Sequence, residues 1–354
     1  MDTVMFDDKK SKNGTAIENA VLVAIDDGYA DTKVVTQSGL SITIPSRVRT
    51  GAHALIEAVN QDVESFAGSN DASYQSEGRK FTVGRFIQGE DTRFDGFHLS
   101  PLNRVIIHHA LRAAGMGGKR VKIATGLPVG TFYRDGLPNN KLIEDKRHNL
   151  KVPVTPVGTT LLPCALVEQA YVCAQGVTAW IDFAMMEDGT PNAEYKATAP
   201  IGVVDIGGRT TDCVVVLPPA QIDPSRTGTI NVGALDVREA LTTKICDAFD
   251  IDTLPDQLAE NALRTGKIRL SGEEHDVTAL KEDALLPQLT RVEDAILRFF
   301  GRGVDLERII FVGGGADLMC RLTLPRKNAI VVAHAAYANA RGMLKFLALT
   351  EKLA

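Results

Sequence analysis

Gly202-Val203-Val204-Asp205-Ile206-Gly207-Gly208-Arg209-Thr210-Thr211-Asp212-Cys213-Val214-Val215-Val216 decides how this chain is read. An apolar run ends in an acid. A glycine pair, two threonines and a second acid follow, and then a second apolar run. The pattern predicts a β-hairpin whose tip carries no bulky side chain. Such a tip brings backbone N–H groups close to a phosphate. Threonine hydroxyls add donors, and Asp205 can hold a metal through the metal's water shell.

A second copy lies near the start. Val21-Leu22-Val23-Ala24-Ile25 runs into Asp26-Asp27-Gly28-Tyr29-Ala30-Asp31-Thr32-Lys33 and then Val34-Val35. Lys33 adds a positive charge within reach of the tip. A lone Asp-x-Gly turn is most often only a hairpin turn. Two copies, each opening one half of a chain, point to two related lobes gripping one phosphate tail. By chemistry alone, Gly28, Lys33, Gly207, Gly208, Thr210 and Thr211 can hold that tail.

The third element is Arg308-Ile309-Ile310-Phe311-Val312-Gly313-Gly314-Gly315-Ala316-Asp317-Leu318-Met319. It predicts a strand entering a triple glycine that opens a helix. Its glycines would let a flat ring approach the backbone. An ordinary tight βα turn is the plainer explanation. A dinucleotide site would need Gly-x-Gly-x-x-Gly after the first strand and an acid about 20 residues on, and neither hairpin fits. Gly-x-x-x-x-Gly-Lys-Ser/Thr is also absent.

In order and spacing these three elements resemble the actin-like ATPase superfamily, and within it the ParM/StbA plasmid-segregation proteins. Ile44-Pro45-Ser46-Arg47 and Thr125-Gly126-Leu127-Pro128-Val129 add to the likeness, which spans roughly residues 20 to 350. The resemblance implies an α/β, two-domain actin-like ATPase fold: duplicated ribonuclease-H-like sheets flanking a nucleotide cleft. The polar, charged run at 1–19 reads as a flexible tail, and the resemblance implies domain I at 20–196 plus 332–354 and domain II at 197–331.

The resemblance also assigns roles. Asp26 and Asp205 would face each other across the cleft, hold Mg²⁺ through water and order the attacking water. Gly313, Gly314 and Gly315 would face the adenosine, with Arg264 and Lys267 near the ribose and base. A solvated helix end is the more common reading of that basic pair. Asp27, Tyr29, Arg209, Gly233 and Asp317 join the expected nucleotide contacts. ParM-like proteins carry a Glu or Gln directly after a proline to position water. Neither Pro156 nor Pro163 is followed by one here, which leaves Glu168 as the substitute. The cofactors would be ATP, with GTP as the alternative, and Mg²⁺.

The function implied is a nucleotide-dependent filament that drives plasmid DNA segregation. ATP would favour assembly and hydrolysis disassembly. The partners would be the chain itself and a DNA-binding adaptor on a plasmid centromere. The alternative is a non-polymerising small-molecule kinase of the same fold. It would need a general base aimed at an acceptor hydroxyl, and no sugar-binding cluster stands out. A chaperone-like ATPase would need a substrate-binding domain, and none is expected.

Composition narrows the rest. The chain has 354 residues, 44% hydrophobic and 23% charged, with a formal net charge of -5. That balance fits a globular protein and argues against a broad DNA-binding surface, so a link to DNA should run through a partner. Cys164, Cys173, Cys213, Cys246 and Cys320 form no CxxC pair, which points to free thiols in a cytoplasmic protein. No apolar run approaches a membrane span. His108 and His109 invite a metal reading, but neighbours on a helix do not face each other, so core histidines are expected.

Further expectations concern elements. Residues 51–80 read as a weakly patterned insertion. Residues 102–115 and 279–300 predict helices. Residues 166–184 carry a helical pattern, and 229–236 read as a continuation of the sheet.

Overall fold

Strand β1 (Val21–Asp27) is the centre from which the first half of the chain is built. The computed structural model describes residues 19–51, 72–85, 87–157, 162–193, 198–323 and 326–353. Val23, Ala24 and Ile25 are all buried, as a strand covered on both faces requires. After it come β2 (Asp31–Thr36), β3 (Ser41–Pro45), β4 (Val48–Thr50), β5 (Ala72–Ser76), β6 (Arg79–Val83), β7 (Arg120–Leu127), the short pair β8 (Tyr133–Arg134) and β9 (Leu137–Pro138), β10 (Thr155–Pro156) and β11 (Leu166–Ala174). The first sheet has the order β11-β7-β1-β2-β3, and a smaller one has β10-β5-β6-β4.

The second half repeats the plan. It holds β12 (Ile201–Ile206), β13 (Thr211–Leu217), β14 (Gln221–Ile222), β15 (Gly228–Ile230), the hairpin β16 (Lys267–Leu270) and β17 (Glu273–Asp276), β18 (Arg308–Val312) and β19 (Ala329–Val331). Its sheet runs β14-β13-β12-β18-β19, with β15 added on β13. In each sheet a central strand pairs antiparallel with its hairpin partner and parallel with its other neighbour. Two sheets of one design, each led by an acid-glycine hairpin, are the duplicated architecture expected.

Helices cover the sheets: α1 (Pro101–Ala113), α2 (Val129–Phe132), α3 (Asn140–Lys151), α4 (Val177–Ala184), α5 (Ala234–Phe249), α6 (Asp256–Thr265), α7 (Thr278–Phe300) and α8 (Ala338–Leu353). Ser100 caps α1 by accepting from Asn103 N at 3.2 Å, and Pro101 takes the first turn, where a missing N–H costs nothing. Gly266, at φ 73°, ends α6 in the left-handed region. On α7, Ala284, Leu285, Leu289, Val292 and Ile296 form the buried stripe. Helix α8 returns to pack on β1, β7 and α4. Its Gly342 lies so close to α4 that a Cβ would sit 1.7 Å from Thr178 O.

Four expectations about elements are corrected. Residues 166–184 are a strand followed by a short helix. A bulge between Val167 and Gln169 shifts the alternation by one residue, so buried Val167 and Ala170 mimic a helical spacing. The described part of 51–80 holds the paired strands β5 and β6 rather than unpatterned chain. Residues 229–236 leave the sheet after Ile230 and turn into α5. The triple glycine opens no α-helix: a run of turns leads to a 3₁₀ segment at Cys320–Thr323. Gly315 N is instead drawn to Ile206 O at 2.8 Å. Of the expected tail at 1–19, residues 1–18 lie outside the described residues, as does the 196/197 boundary.

His108 and His109 are core residues. Tyr74 Oη meets His109 Nδ1 at 2.8 Å, and burial pushes the two imidazoles down to about 4 and about 3 respectively. Cys164, Cys173, Cys213 and Cys246 are free thiols. Among the described residues there is no metal-type cluster of His, Cys, Asp and Glu, and no helix is long and apolar enough to cross a membrane.

Candidate active site

Hairpin β1–β2 places Asp26 opposite Lys33 across the strands. Its tip is braced by the Ile44–Arg47 motif. Ser46 N donates to Ala30 O at 2.8 Å, and Ser46 Oγ donates to Gly28 O at 2.7 Å. Thr92 Oγ1 adds a bond to Tyr29 O at 2.7 Å.

Hairpin β12–β13 places Asp205 opposite Asp212. Its tip is tied to the start of α5: Ala234 N donates to Gly207 O at 3.0 Å and Leu235 N to Gly208 O at 2.8 Å. The helix N-terminus is therefore spent on holding the hairpin. Gly233 lies under this tip, where a Cβ would meet Gly208 O at 2.3 Å.

The two tips touch. A Cβ on Gly208 would lie 2.8 Å from Ala30 N, so only glycine lets the lobes meet there. Gly313, at φ 88°, closes the third side. A Cβ there would lie 2.5 Å from Asp205 Oδ1. Between them lies a cleft of ≈ 70 Å³ lined by Asp26, Gly28, Tyr29, Lys33, Gln175, Asp205, Gly207, Gly208, Thr210, Gly313, Gly314 and Asn339, among others. That is room for a few waters. Ion pairs join the lobes around it, among them Arg47–Glu260 at 2.6 Å, Arg93–Glu239 at 2.5 Å and Arg209–Asp95 at 2.8 Å. Partly exposed pairs of this kind contribute about 0–1 kcal/mol each.

Charge in the cleft is unbalanced. Burial, together with the nearby charge of Asp26, pushes Asp205 up to about 6. Burial and then Asp205 push Asp212 well up. Asp26 is raised by burial too, against the pull of Lys33 and a hydrogen bond from Gln175. Gln175 Nε2 donates to Asp26 Oδ1 at 2.8 Å, which leaves Gln175 Oε1 free to accept. Asn339 Nδ2 donates to Asp205 Oδ2 at 2.6 Å, while Asn339 Oδ1 accepts from Gly176 N at 3.0 Å and Thr178 Oγ1 at 2.9 Å. One C-terminal side chain thus binds the second-lobe acid to the turn that carries Gln175.

The structure gathers most of the residues singled out from sequence and sets others apart. Asp27 faces away from the cleft, because adjacent strand residues point to opposite faces. It is sealed in an ion pair with Lys146 at 2.8 Å. Thr211 is buried and spends its hydroxyl on Val232 O at 2.8 Å. Glu168 lies on β11 and pairs with Arg120 at the protein surface, so it does not line the cleft. Arg264 bonds Asn261 and Lys267 bonds Glu274, both outside it. Gly315 backs onto Ile206, and neither it nor Asp317 reaches the lining. Arg209 lies over the Tyr29 ring at 5.4 Å, on the outer side.

Sequence reasoning missed Gln175, Asn339, Asp212 and His98. For Gln175 a signal existed: Ala174-Gln175-Gly176 sits at a strand-to-helix turn, with alanine where a proline was sought.

Two related sheets, an acid-glycine hairpin from each and a glycine turn over one cleft define a two-lobed actin-like protein. Residues 21–162 match the family described as plasmid segregation protein ParM, N-terminal, and residues 203–323 match that of the archaeal actin homologue MreB-like, C-terminal. Among solved structures, the archaeal actin homologue Ta0583 superposes with a TM-score of 0.74 at 21% identity, over 93% of this chain and 99% of that one. It has also been solved in complex with ADP. The ParM of a 15-stranded filament from Clostridium botulinum superposes with a TM-score of 0.72 at 19% identity, over 93% and 99% of the two chains. No curated protein sequence matches significantly. The chain therefore has the actin-like fold, with its first part similar to the ParM/StbA proteins and its second part similar to an archaeal actin homologue.

Proposed function

We propose that this protein is a filament-forming ATPase whose nucleotide cycle drives assembly and disassembly, in the service of plasmid DNA segregation. The observation that carries the reading is the facing pair Asp26 and Asp205, one from each lobe, with Gln175 oriented on the first and Asn339 on the second. ATP hydrolysis needs a held phosphate tail, a neutralised charge and an aimed water. Backbone at Gly28, Gly207, Gly208 and Thr210 lines the phosphate cavity, with Lys33 beside it. Gln175 Oε1 is a water acceptor fixed by its own amide donation.

Two buried carboxylates with a single lysine beside them suit a hard cation that keeps its waters. Asp26 and Asp205 would hold Mg²⁺, which when bound neutralises charge on the phosphate oxygens. Nucleotide that spans both hairpins would favour the closed lobes, and closed lobes would favour the filament. Loss of the terminal phosphate would remove that bridge. The net charge of -5 supports contact with DNA through an adaptor rather than directly, in the cytoplasm.

Light scattering and pelleting test this. Scattering should rise with Mg²⁺ and ATP and fall as ADP accumulates. It should persist with a non-hydrolysable analogue. No assembly at any concentration, with ATP still turned over, would remove the filament from the reading and turn the search to kinase acceptors. GTP in place of ATP measures base preference.

A further inference from the structure

Asp27 is the start of a chain of contacts that ends back in the cleft. Its carboxylate accepts from Lys146 Nζ at 3.0 and 2.8 Å, from Asn103 Nδ2 at 2.8 Å and from Thr125 Oγ1. His98 Nδ1 lies 3.1 Å from the same carboxylate. With the Lys146 ammonium and the Asn103 amide both donating to it, this carboxylate is the anionic half of a buried ion pair. An ionised acceptor so placed requires His98 Nδ1 to carry the hydrogen, which leaves the lone pair on Nε2.

That nitrogen is buried and has no hydrogen-bond partner among the described residues. The ring is held by edge contacts with Tyr29 at 4.9 Å and Phe97 at 5.4 Å between centroids. His98 lines the phosphate cleft and also an adjoining cavity of ≈ 340 Å³ bordered by Tyr29, Arg209, Thr131 and Thr229. Gln175 and His98 both line the cleft, and each carries an acceptor left over by its own donation, Gln175 Oε1 and His98 Nε2. A water has two hydrogens to give.

We propose that His98 is a further catalytic residue, which accepts a hydrogen of the attacking water at Nε2 and takes the proton as that water adds to the terminal phosphate. The inference rests on the ATPase reading above. The water oxygen bonds to phosphorus, and the bond to the bridging oxygen breaks with its electron pair left on ADP. The water's proton passes to Nε2, and the imidazolium is stabilised by Asp27. The proton then leaves with the inorganic phosphate.

Burial lowers the basicity of His98, and Lys146 from α3 and Arg209 from the second hairpin lower it further, while Asp27 opposes them. Tyr29, Asp26, Asp31, Lys33, Asp205 and Asp212 share the cleft with it, and Asp95 borders the outer cavity. The imidazole is thus neutral and able to accept at pH 7.

Single-turnover hydrolysis by the full-length protein tests this, with His98→Ala and His98→Gln each checked for ATP binding and thermal unfolding. His98→Ala should lose about 100-fold or more in the hydrolysis rate at unchanged ATP affinity. Free imidazole, admitted through the outer cavity, should restore part of it. In His98→Gln the acid limb of the rate profile should lose one titrating group, keeping the part that Asp205 contributes. An unchanged rate in His98→Ala overturns the inference, and so does a loss that imidazole does not restore. If His98→Ala does not fold, a wild-type pH profile in His98→Gln overturns it. Wild-type protein that never cleaves ATP would instead overturn the hydrolysis reading beneath it.

Discussion

The two hairpins share a plan and differ in one cross-strand partner. In the first, Asp26 faces Lys33. In the second, Asp205 faces Asp212. Lobe I thus supplies its own countercharge, while lobe II opposes two acids. Gene duplication would explain the shared backbone. The difference in partners explains where the cleft lacks positive charge, and so which lobe holds a cation more strongly.

The largest effect should come from the acid without a lysine. Asp205→Ala should lower ATP turnover about 1,000-fold, equivalent to ~4 kcal/mol. It should also weaken Mg²⁺ in the ATP complex more than Asp26→Ala does, read by metal titration of hydrolysis and of nucleotide binding. Equal weakening in the two variants would break the comparison. Next comes the pair behind the first hairpin. Lys146→Met leaves Asp27 as a buried charge without its ammonium and should destabilise the protein by about 3–5 kcal/mol in denaturant unfolding.

Gln175→Leu keeps the volume and removes the water acceptor. Turnover should drop about 100-fold with ATP affinity retained, measured by phosphate release beside equilibrium binding. The smallest effect concerns stability and has the opposite sign. Asp205 is pushed up to about 6 from 3.8. Between those values the folded chain keeps a proton that the unfolded chain loses, so this group's share of stability falls as pH rises through that window and stays low above it. Asp205→Asn should therefore raise stability at pH 7 by about 2 kcal/mol without nucleotide, and the gain should vanish below about pH 4. Asp26→Asn, with Lys33 and Gln175 as partners, should gain less. Calorimetry at two pH values decides it.

Much of this site was legible because glycine and acid patterns at hairpin tips are local. Gly208 had to be small where Ala30 approaches, and such a need shows in the sequence itself. The strand at 166–174 was not legible because one bulged residue turned a period of two into an apparent period of three. A proline marker leads the sequence reading to Glu168 and past Gln175, because the turn is made by Gln175-Gly176 with Gly176 at φ 75°. His98 and Asn339 reach the cleft only through contacts with residues 71 and 134 positions away. No window of sequence carries such a signal. Asp27 shows the opposite failure: the motif was right, but strand parity turned the side chain into the core.

Asn339 has a consequence for how the protein is made. Synthesis delivers both hairpins, Gln175 and the triple glycine before it delivers this residue. The bond that fixes Asp205 to the Gly176 turn waits for α8 to leave the ribosome and slide its Gly342 under Thr178. A nascent chain therefore holds the parts of a nucleotide cleft without the closure that makes them act together. The bonded arrangement of the cleft is therefore set only after α8 has been made.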